Sequence, residues 1–489
     1  MWIAIRLPQL PLEIFLRGSS TPEPFAVEEH HRVLMCDPRA AARGIRAGMT
    51  VTAALALSPN LRMMPRDPAG ETEALLGIAA WAIQFTPGVA LEFPSTVLLE
   101  LSGSMRLYGG TGVMKKKLLR DTAEIGYRAV IAGAPTPRAA SWLAAAGEEN
   151  LIAGLSELEQ ALAQLRVEIA GWEKETLGAL RSIGVRTLGQ LRSLPREGVA
   201  RRFGQALLRD MDRAFGQLSD PRNFFVPPAR FRSDIELPAE IIQAEMLLFA
   251  AKRLIVQLVG FLAARSGGVR RFVLKLGHRD RAATEVAIGL IAPSRDAKHF
   301  TLLLRERLSN LALVGPVRSI ALEAGDVVLL PGRNLGLAFE QGKPRGEWEH
   351  LVERLRSRLG PGAVHGLASR SEHRPERASV QDSLAPGQRR GIAAGARRQQ
   401  TCADTSAEFP ARPFWLLEHP RPLAEVGAAP YCEGPLELLA GPERIESGWW
   451  DGGDVARDYF VARTQSESLV WIYREWRGEG GWYLHGVFA

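Results

Sequence analysis

The feature that most limits how this chain can fold is a switch of hydrophobic period between residues 231 and 324. Phe231 to Leu237 alternates and reads as a strand, and Ala244 to Ala264 has the spacing of a long helix. Val269 to Leu276 and Thr284 to Leu290 alternate again, Ala297 to Asn310 is helical, and Val317 to Ala324 is a last strand. The order β-α-β-β-α-β has a compact solution, a split βαβ unit with one sheet and both helices on one of its faces. Just before it, Glu173 to Phe215 is helical throughout, with short Gly-bearing turns, and Pro221, Pro227 and Pro228 mark an exit. Two adjoining modules are therefore expected, a helical one at 171–227 and an α/β one at 228–330.

Upstream, residues 1–170 mix the two periods. Trp2 to Leu7, Val97 to Leu101 and Ala129 to Ala134 read as strands, and Thr72 to Phe85, Val113 to Ile125 and Arg138 to Ala146 as helices. Downstream, regularity falls away. Segment 331–377 holds one amphipathic helix, Glu347 to Leu359. Residues 378–412 are rich in Gln, Arg, Ala, Gly and Ser with few large apolar side chains, a composition that buries too little surface to offset ordering entropy, and are expected to be a flexible linker. In 413–489, short alternating runs at Ile445 to Trp449, Asp458 to Arg463, Leu469 to Glu475 and Trp482 to Phe488 predict a small β-rich module. Six of the eleven tryptophans fall there, which suggests an aromatic core. The fold class expected is multidomain, α/β and α, with this β-rich module at the end.

Charge adds a direction. The net charge is +7, and residues 171–330 carry 25 Lys/Arg against 16 Asp/Glu, so the surplus of basic groups sits in the two middle modules. An anionic partner is the natural reading. The three cysteines, Cys36, Cys402 and Cys432, form no CxxC pair, which argues against both a zinc site and a disulfide framework and for a reducing, cytoplasmic compartment. The first residues lack a basic segment followed by a long apolar run, so neither a secretory leader nor a membrane span is expected.

Two stretches look built for nucleic acid. Leu180-Arg-Ser-Ile-Gly-Val-Arg-Thr-Leu-Gly189, followed by Leu191, has the form of a helix-hairpin-helix, whose turn at Gly184 is expected to present backbone amides, with Arg186 and Thr187 beside them, to a phosphate. Arg201 and Arg202 follow in an Arg-Arg-Phe-Gly run. In the strand 269–276, alternation puts Arg271 and Lys275 on one side and Arg270 on the other. These are the candidate DNA-binding residues.

With those motifs stands Gly44-Ile-Arg-Ala-Gly-Met49, then Ala53-Ala54 and Pro59-Asn60-Leu61, which resembles the fingers of Y-family lesion-bypass DNA polymerases. The hairpin with its RRFG run resembles their thumb and the split βαβ unit their little finger, so the resemblance covers residues 1 to about 330 and implies a palm and fingers at 1–170. The closing runs Gly441 to Asp451, Arg457 to Phe460 and Gly481 to Ala489 resemble the C-terminal module of a Y-family-like component of bacterial mutagenesis cassettes.

Carried over residue by residue, the family's catalytic pattern fails. Its first strand ends in two aspartates one residue apart; the matching positions here are Pro8 and Leu10. Its second acidic pair falls on Ser95 and Thr96, before Leu99-Glu100-Leu-Ser-Gly-Ser104. Pro38 and Ala41 stand where the family carries a Tyr and an Arg for the incoming nucleotide. In-line phosphoryl transfer through two metal ions needs several hard carboxylate oxygens, which these side chains cannot supply. No catalytic residue, metal or cofactor is therefore expected. The resemblance then implies a non-catalytic adaptor of translesion synthesis and damage-induced mutagenesis, with primer-template DNA, the β sliding clamp, a separate error-prone replicative-type polymerase and the RecA-like ImuA as partners. The competing expectation is an active low-fidelity polymerase whose metal site is displaced onto Glu13, Glu92 or Glu100. Asn334-Leu-Gly-Leu-Ala-Phe339 resembles the clamp-binding hexapeptide of bacterial polymerases, with Asn334 leading and Leu335, Leu337 and Phe339 at alternate positions.

Overall fold

The structure, a computed structural model, describes residues 1–18, 23–105, 107–330, 346–360, 362–382, 412–413, 415–427, 429–477 and 480–488. They form two compact units, Met1–Pro361 and Gly362–Ala489.

The first unit opens with β1 (Trp2–Arg6) and α1 (Leu10–Leu16), then β2 (Phe25–Glu29), β3 (Arg32–Cys36), α2 (Pro38–Ala42), α3 (Val51–Leu57), β4 (Arg62–Pro65) and α4 (Pro68–Ala82). It continues through β5 (Val89–Glu92), β6 (Thr96–Glu100), α5 (Thr111–Glu124), β7 (Val130–Ala134) and α6 (Pro137–Ala146). The main sheet has the order β5-β6-β1-β7, with β1 antiparallel to both neighbours. Because side chains alternate along β1, Ile3 and Ile5 enter the core built with α1, α4 and α5, while Ala4 faces the core under α6. A smaller sheet, β3-β2-β4, was not legible in the sequence. Its helices α2 and α3 are capped by Asp37 and Thr50, each side chain accepting a backbone N–H of the first turn. Between them Gly44 (φ 87°) and Gly48 (φ 86°) take left-handed conformations, which explains the two glycines of the GIRAGM turn.

Next come α7 (Leu155–Gln164), α8 (Lys174–Ser182), α9 (Leu188–Arg192), α10 (Arg196–Phe203) and α11 (Gln205–Ala214), which share the core under α6. The split βαβ unit is present as expected: β8 (Phe231–Ile241), α12 (Leu247–Ala264), β9 (Gly267–His278), β10 (Thr284–Ser294), α13 (Ala297–Ser309) and β11 (Val317–Ala324), in the order β10-β9-β11-β8. A short extra strand, β12 (Val327–Leu329), pairs with β9. The stretch Ala244–Ala264 is long and apolar enough to cross a membrane, yet in this fold it is the core helix, with Leu254, Leu258 and Phe261 against the sheet. Its close approach to α4 depends on Gly260, where an added Cβ would collide with the Trp81 indole. Helix α14 (Gly346–Leu359) packs on α13 and β10.

The second unit contains the hairpin β13 (Gly366–Ser369) and β14 (Ser379–Asp382), then β15 (Trp415–Pro422), β16 (Ala424–Val426), β17 (Ala429–Tyr431), β18 (Glu437–Ser447), β19 (Val455–Arg463), β20 (Leu469–Glu475) and β21 (Gly481–Val487). The main sheet runs β15-β21-β20-β19-β18. Three expectations change here. The linker expected from residue 378 is shortened, because Ser379–Asp382 pairs with Gly366–Ser369; residues 383–411 lie outside the described ones. The segment expected at 331–377 is divided: α14 belongs to the first unit and 362–377 to the second. There Arg374, 2 % exposed, donates to Asp451 Oδ2 at 2.6 Å and to Glu372 Oε2 at 2.8 Å. Finally, the aromatic core consists of Tyr459, Trp471, Tyr473 and Trp482, whereas Trp415, Trp449, Trp450 and Trp476 are exposed.

Candidate nucleic-acid interface

At one end of the main sheet Leu7 N–H donates to Ser95 O at 2.8 Å, and Arg6 faces Thr96 in register. Three of the four positions that matched the family's carboxylates, Pro8, Ser95 and Thr96, thereby meet at one edge. Pro8 is exposed, Ser95 half-buried and Thr96 buried, while Leu10 turns into the core with no exposure. These side chains do not fit a pair of hard cations, since none carries a carboxylate.

The remaining acids of this region are engaged elsewhere. Glu92 accepts from Ser141 Oγ at 2.6 Å and from Arg222 Nη1 at 2.7 Å. Beside it, burial lowers the pKa of the Arg6 guanidinium, an effect that Glu92 opposes. Glu100 lies opposite Trp2, at the far end of β1. Burial alone would raise its pKa, but hydrogen bonds from Ser102 and the N-terminal ammonium hold it below the usual value. Glu13, on α1, accepts from Arg128 N–H at 2.9 Å, and burial pushes it up to about 7. The three acids are thus held apart by different partners.

The hairpin turn forms as expected, with Gly184 at φ 84°, but its amides are not open. Gly184 N–H donates to Arg181 O and Val185 N–H to Leu180 O, each at 3.0 Å. Arg186 N–H and Thr187 N–H both donate to Gln190 Oε1, at 2.7 and 3.2 Å. Thr187 Oγ1 in turn accepts from Gln190 N–H at 3.3 Å, closing a capping box at the start of α9. The carboxamide oxygen of Gln190 occupies the place expected for a phosphate oxygen. The signal that could have found it is the Thr-x-x-Gln spacing, which stands in the sequence at Thr187 and Gln190.

The cationic side chains also differ among themselves. Arg201 and Arg202 are exposed in the last turn of α10, with the Arg202 guanidinium over the Phe203 ring. On β9, Arg271 and Lys275 share the face opposite the buried Phe272 and Leu274. Lys275 Nζ, however, lies 2.8 Å from Glu323 Oε2 and 3.5 Å from Glu285 Oε1. The hydrogen bond to Glu323 raises its pKa above the ordinary lysine value. Among the described residues, Arg186, Arg201, Arg202 and Arg271 form no ion pair with a carboxylate. Of the two candidate DNA-binding residues on this face, Lys275 is thus engaged by carboxylates and Arg271 is not. The hexapeptide Asn334, Leu335, Leu337 and Phe339 lies outside the described residues.

Residues 17–168 match the model of the impB/mucB/samB family. The protein named Protein ImuB from Caulobacter vibrioides (strain NA1000 / CB15N) is 27 % identical over 471 residues, covering 91 % of this chain and 100 % of that protein. The chain is thus similar to ImuB along most of its length and to the impB/mucB/samB family over residues 17–168. The ImuB of a second strain, ATCC 19089 / CIP 103742 / CB 15, matches to the same extent. Among solved structures, an insertion ternary complex of Dbh DNA polymerase aligns at 16 % identity and a TM-score of 0.38, covering 67 % of this chain and 99 % of that one. DinB from Sulfolobus solfataricus aligns at 17 % identity and a TM-score of 0.36, covering 68 % and 99 %. The ImuB likeness spans both units, whereas the family model falls within the first.

Proposed function

We propose that this chain is a non-catalytic, DNA-docked adaptor of translesion synthesis and damage-induced mutagenesis, acting in the cytoplasm, which links the β sliding clamp to a separate error-prone polymerase and to ImuA. The observation that carries the reading is the replacement of the two acidic pairs by Pro8, Leu10, Ser95 and Thr96, with Glu13, Glu92 and Glu100 each engaged by other groups. A fold that keeps its core without metal ligands retains value as a scaffold. Arg186, Arg201, Arg202 and Arg271 supply phosphate contacts without sequence preference, and Asn334, Leu335, Leu337 and Phe339 supply the clamp peptide. The second unit recruits the protein partners.

Primer extension by the purified chain with Mg²⁺ or Mn²⁺ tests this directly. No nucleotide incorporation above background is expected, and Pro8→Asp, Leu10→Asp or Ser95→Asp alone should not restore it. Template-dependent extension that survives repurification and is lost on Glu100→Gln would overturn the adaptor reading in favour of a displaced metal site.

A further inference from the structure

Helix α14 meets the split βαβ unit through a side-chain cluster remote in sequence from the candidate DNA contacts. His350 and Glu353 are three residues apart and so lie on one face of α14. His299, in the first turn of α13, completes the group, and one donor atom from each of the three lies within 4.8 Å of the others. His299 Nε2 is 2.5 Å from Glu353 Oε2. The rings of His299 and His350 are stacked with centroids 3.9 Å apart and planes 22° from parallel, which holds the exposed imidazole of His350 beside the buried pair. Glu353 Oε1 accepts from Ile291 N–H at 2.6 Å, which fixes the carboxylate and leaves Oε2 for a ligand. His299 and Glu353 are 5 % and 3 % exposed, while His350 opens to solvent.

We propose that His299, His350 and Glu353 bind a divalent cation of the zinc class, which clasps α14 to α13. Two imidazole nitrogens and one carboxylate oxygen form a donor set for a borderline-soft ion. Mg²⁺ and Ca²⁺ prefer an all-oxygen shell and are disfavoured here. The exposed side, at His350, leaves a fourth position for water. On binding, the hydrogen bond between His299 Nε2 and Glu353 Oε2 is replaced by a bond from each atom to the metal, with the neutral imidazole carrying its proton on Nδ1. The ion would fix α14 against α13 and β10, on which it packs. A hydrogen-bonded pair alone accounts for His299 and Glu353 but gives His350 no part, and that distinction sets the experiment.

The full-length chain, treated with EDTA and dialysed, is titrated with ZnCl₂ against a chromophoric chelator. One equivalent is expected to bind. Co²⁺ in its place should give the visible absorption of a four-coordinate site without a thiolate charge-transfer band, which separates this site from one using Cys36, Cys402 or Cys432. Loss of a direct ligand in His350→Ala should weaken binding by more than the roughly 10–100-fold typical of an outer-shell partner. His350 is exposed, so this variant should fold, as circular dichroism would check. Glu353→Gln keeps an acceptor for Ile291 N–H and should also weaken binding. No saturable binding, unchanged affinity in both variants, or equal competition by MgCl₂ would each overturn the proposal.

Discussion

The open end of the first sheet and the outer face of the split βαβ sheet are both strand surfaces backed by a dry core, and they differ in the side chains they expose. At the first, the core side is intact: Ile3, Ile5, Val97 and Leu99 have no exposure. Its end carries Pro8, Ser95 and Thr96, none of them acidic. At the second, the core side is equally closed, with Phe272 and Leu274 buried, but the outer side keeps cationic groups. The difference separates two tasks that one strand performs. Inward side chains specify the fold through burial, and outward ones specify chemistry, so the chemistry of a surface can vary while the architecture stays.

The largest expected effect tests that separation on β1. Ile5→Ala removes a fully buried side chain and should cost about 2–5 kcal/mol of stability by denaturant unfolding. Pro8→Asp, at an exposed position three residues on, should stay within about 0.5 kcal/mol. A large loss at Pro8 would mean that this end of the sheet carries stability as well.

Next in size is the cationic surface. Changing Arg186, Arg201, Arg202 and Arg271 together to Ala should weaken primer-template binding by roughly 100-fold at moderate salt, alike for all sequences. The slope of log affinity against log salt should become shallower by about 0.9 for each phosphate no longer engaged. Binding that is unchanged, or that changes for one sequence only, would show that the basic surface is merely solvated or that it reads bases.

The two modules meet where α1 packs on β8, and there stability becomes pH-dependent. Glu13 is pushed up to about 7, first by burial, against the opposing influence of Arg128 and Arg253. A carboxyl whose folded value is raised binds its proton more tightly in the folded state. Its contribution is therefore complete below the ordinary carboxylate range and is lost as pH rises through about 7. Between pH 5 and pH 7 the fall should be roughly 2 kcal/mol. Glu13→Gln should flatten the curve in that window, measured by chemical unfolding at several pH values. An identical slope in the variant would assign the dependence to other groups.

How far these features could be read from sequence follows from the range of the interactions. The split βαβ unit and the α8–α11 block were legible because their periods run for many residues and their turns are marked by Gly and Pro. The β3-β2-β4 sheet was not, since its strands are four or five residues long and β2 joins β4 across two intervening helices. The β13–β14 hairpin is hidden for a related reason: the nearby Arg374 is fixed by Asp451, 77 residues away, so local composition reads as linker. At the candidate interface the residue types are legible, but their partners are not. Gln190 closes the hairpin amides from within the motif itself, and Glu323 reaches Lys275 across the β9–β11 pairing.

That last pair supports the smallest and most discriminating test. Arg271 and Lys275 stand on the same face of β9 four residues apart, and alternation alone makes them equivalent. They differ in what faces them: Arg271 lies opposite Gly289, whereas Lys275 is bridged by Glu285 on β10 and Glu323 on β11. A cation already neutralised by carboxylates displaces no counterions from the DNA on binding. Arg271→Ala should therefore reduce affinity by about threefold and lower the salt slope by about 0.9, the value for one phosphate. Lys275→Ala changes the net charge by the same amount, yet should reduce affinity by less than about twofold and leave the slope unchanged, because the number of phosphates engaged stays the same. The slope is the decisive readout, since it reports phosphates neutralised rather than net charge. If the two substitutions lower it equally, DNA draws Lys275 away from Glu285 and Glu323, and the outer face of β9 acts as one continuous phosphate track.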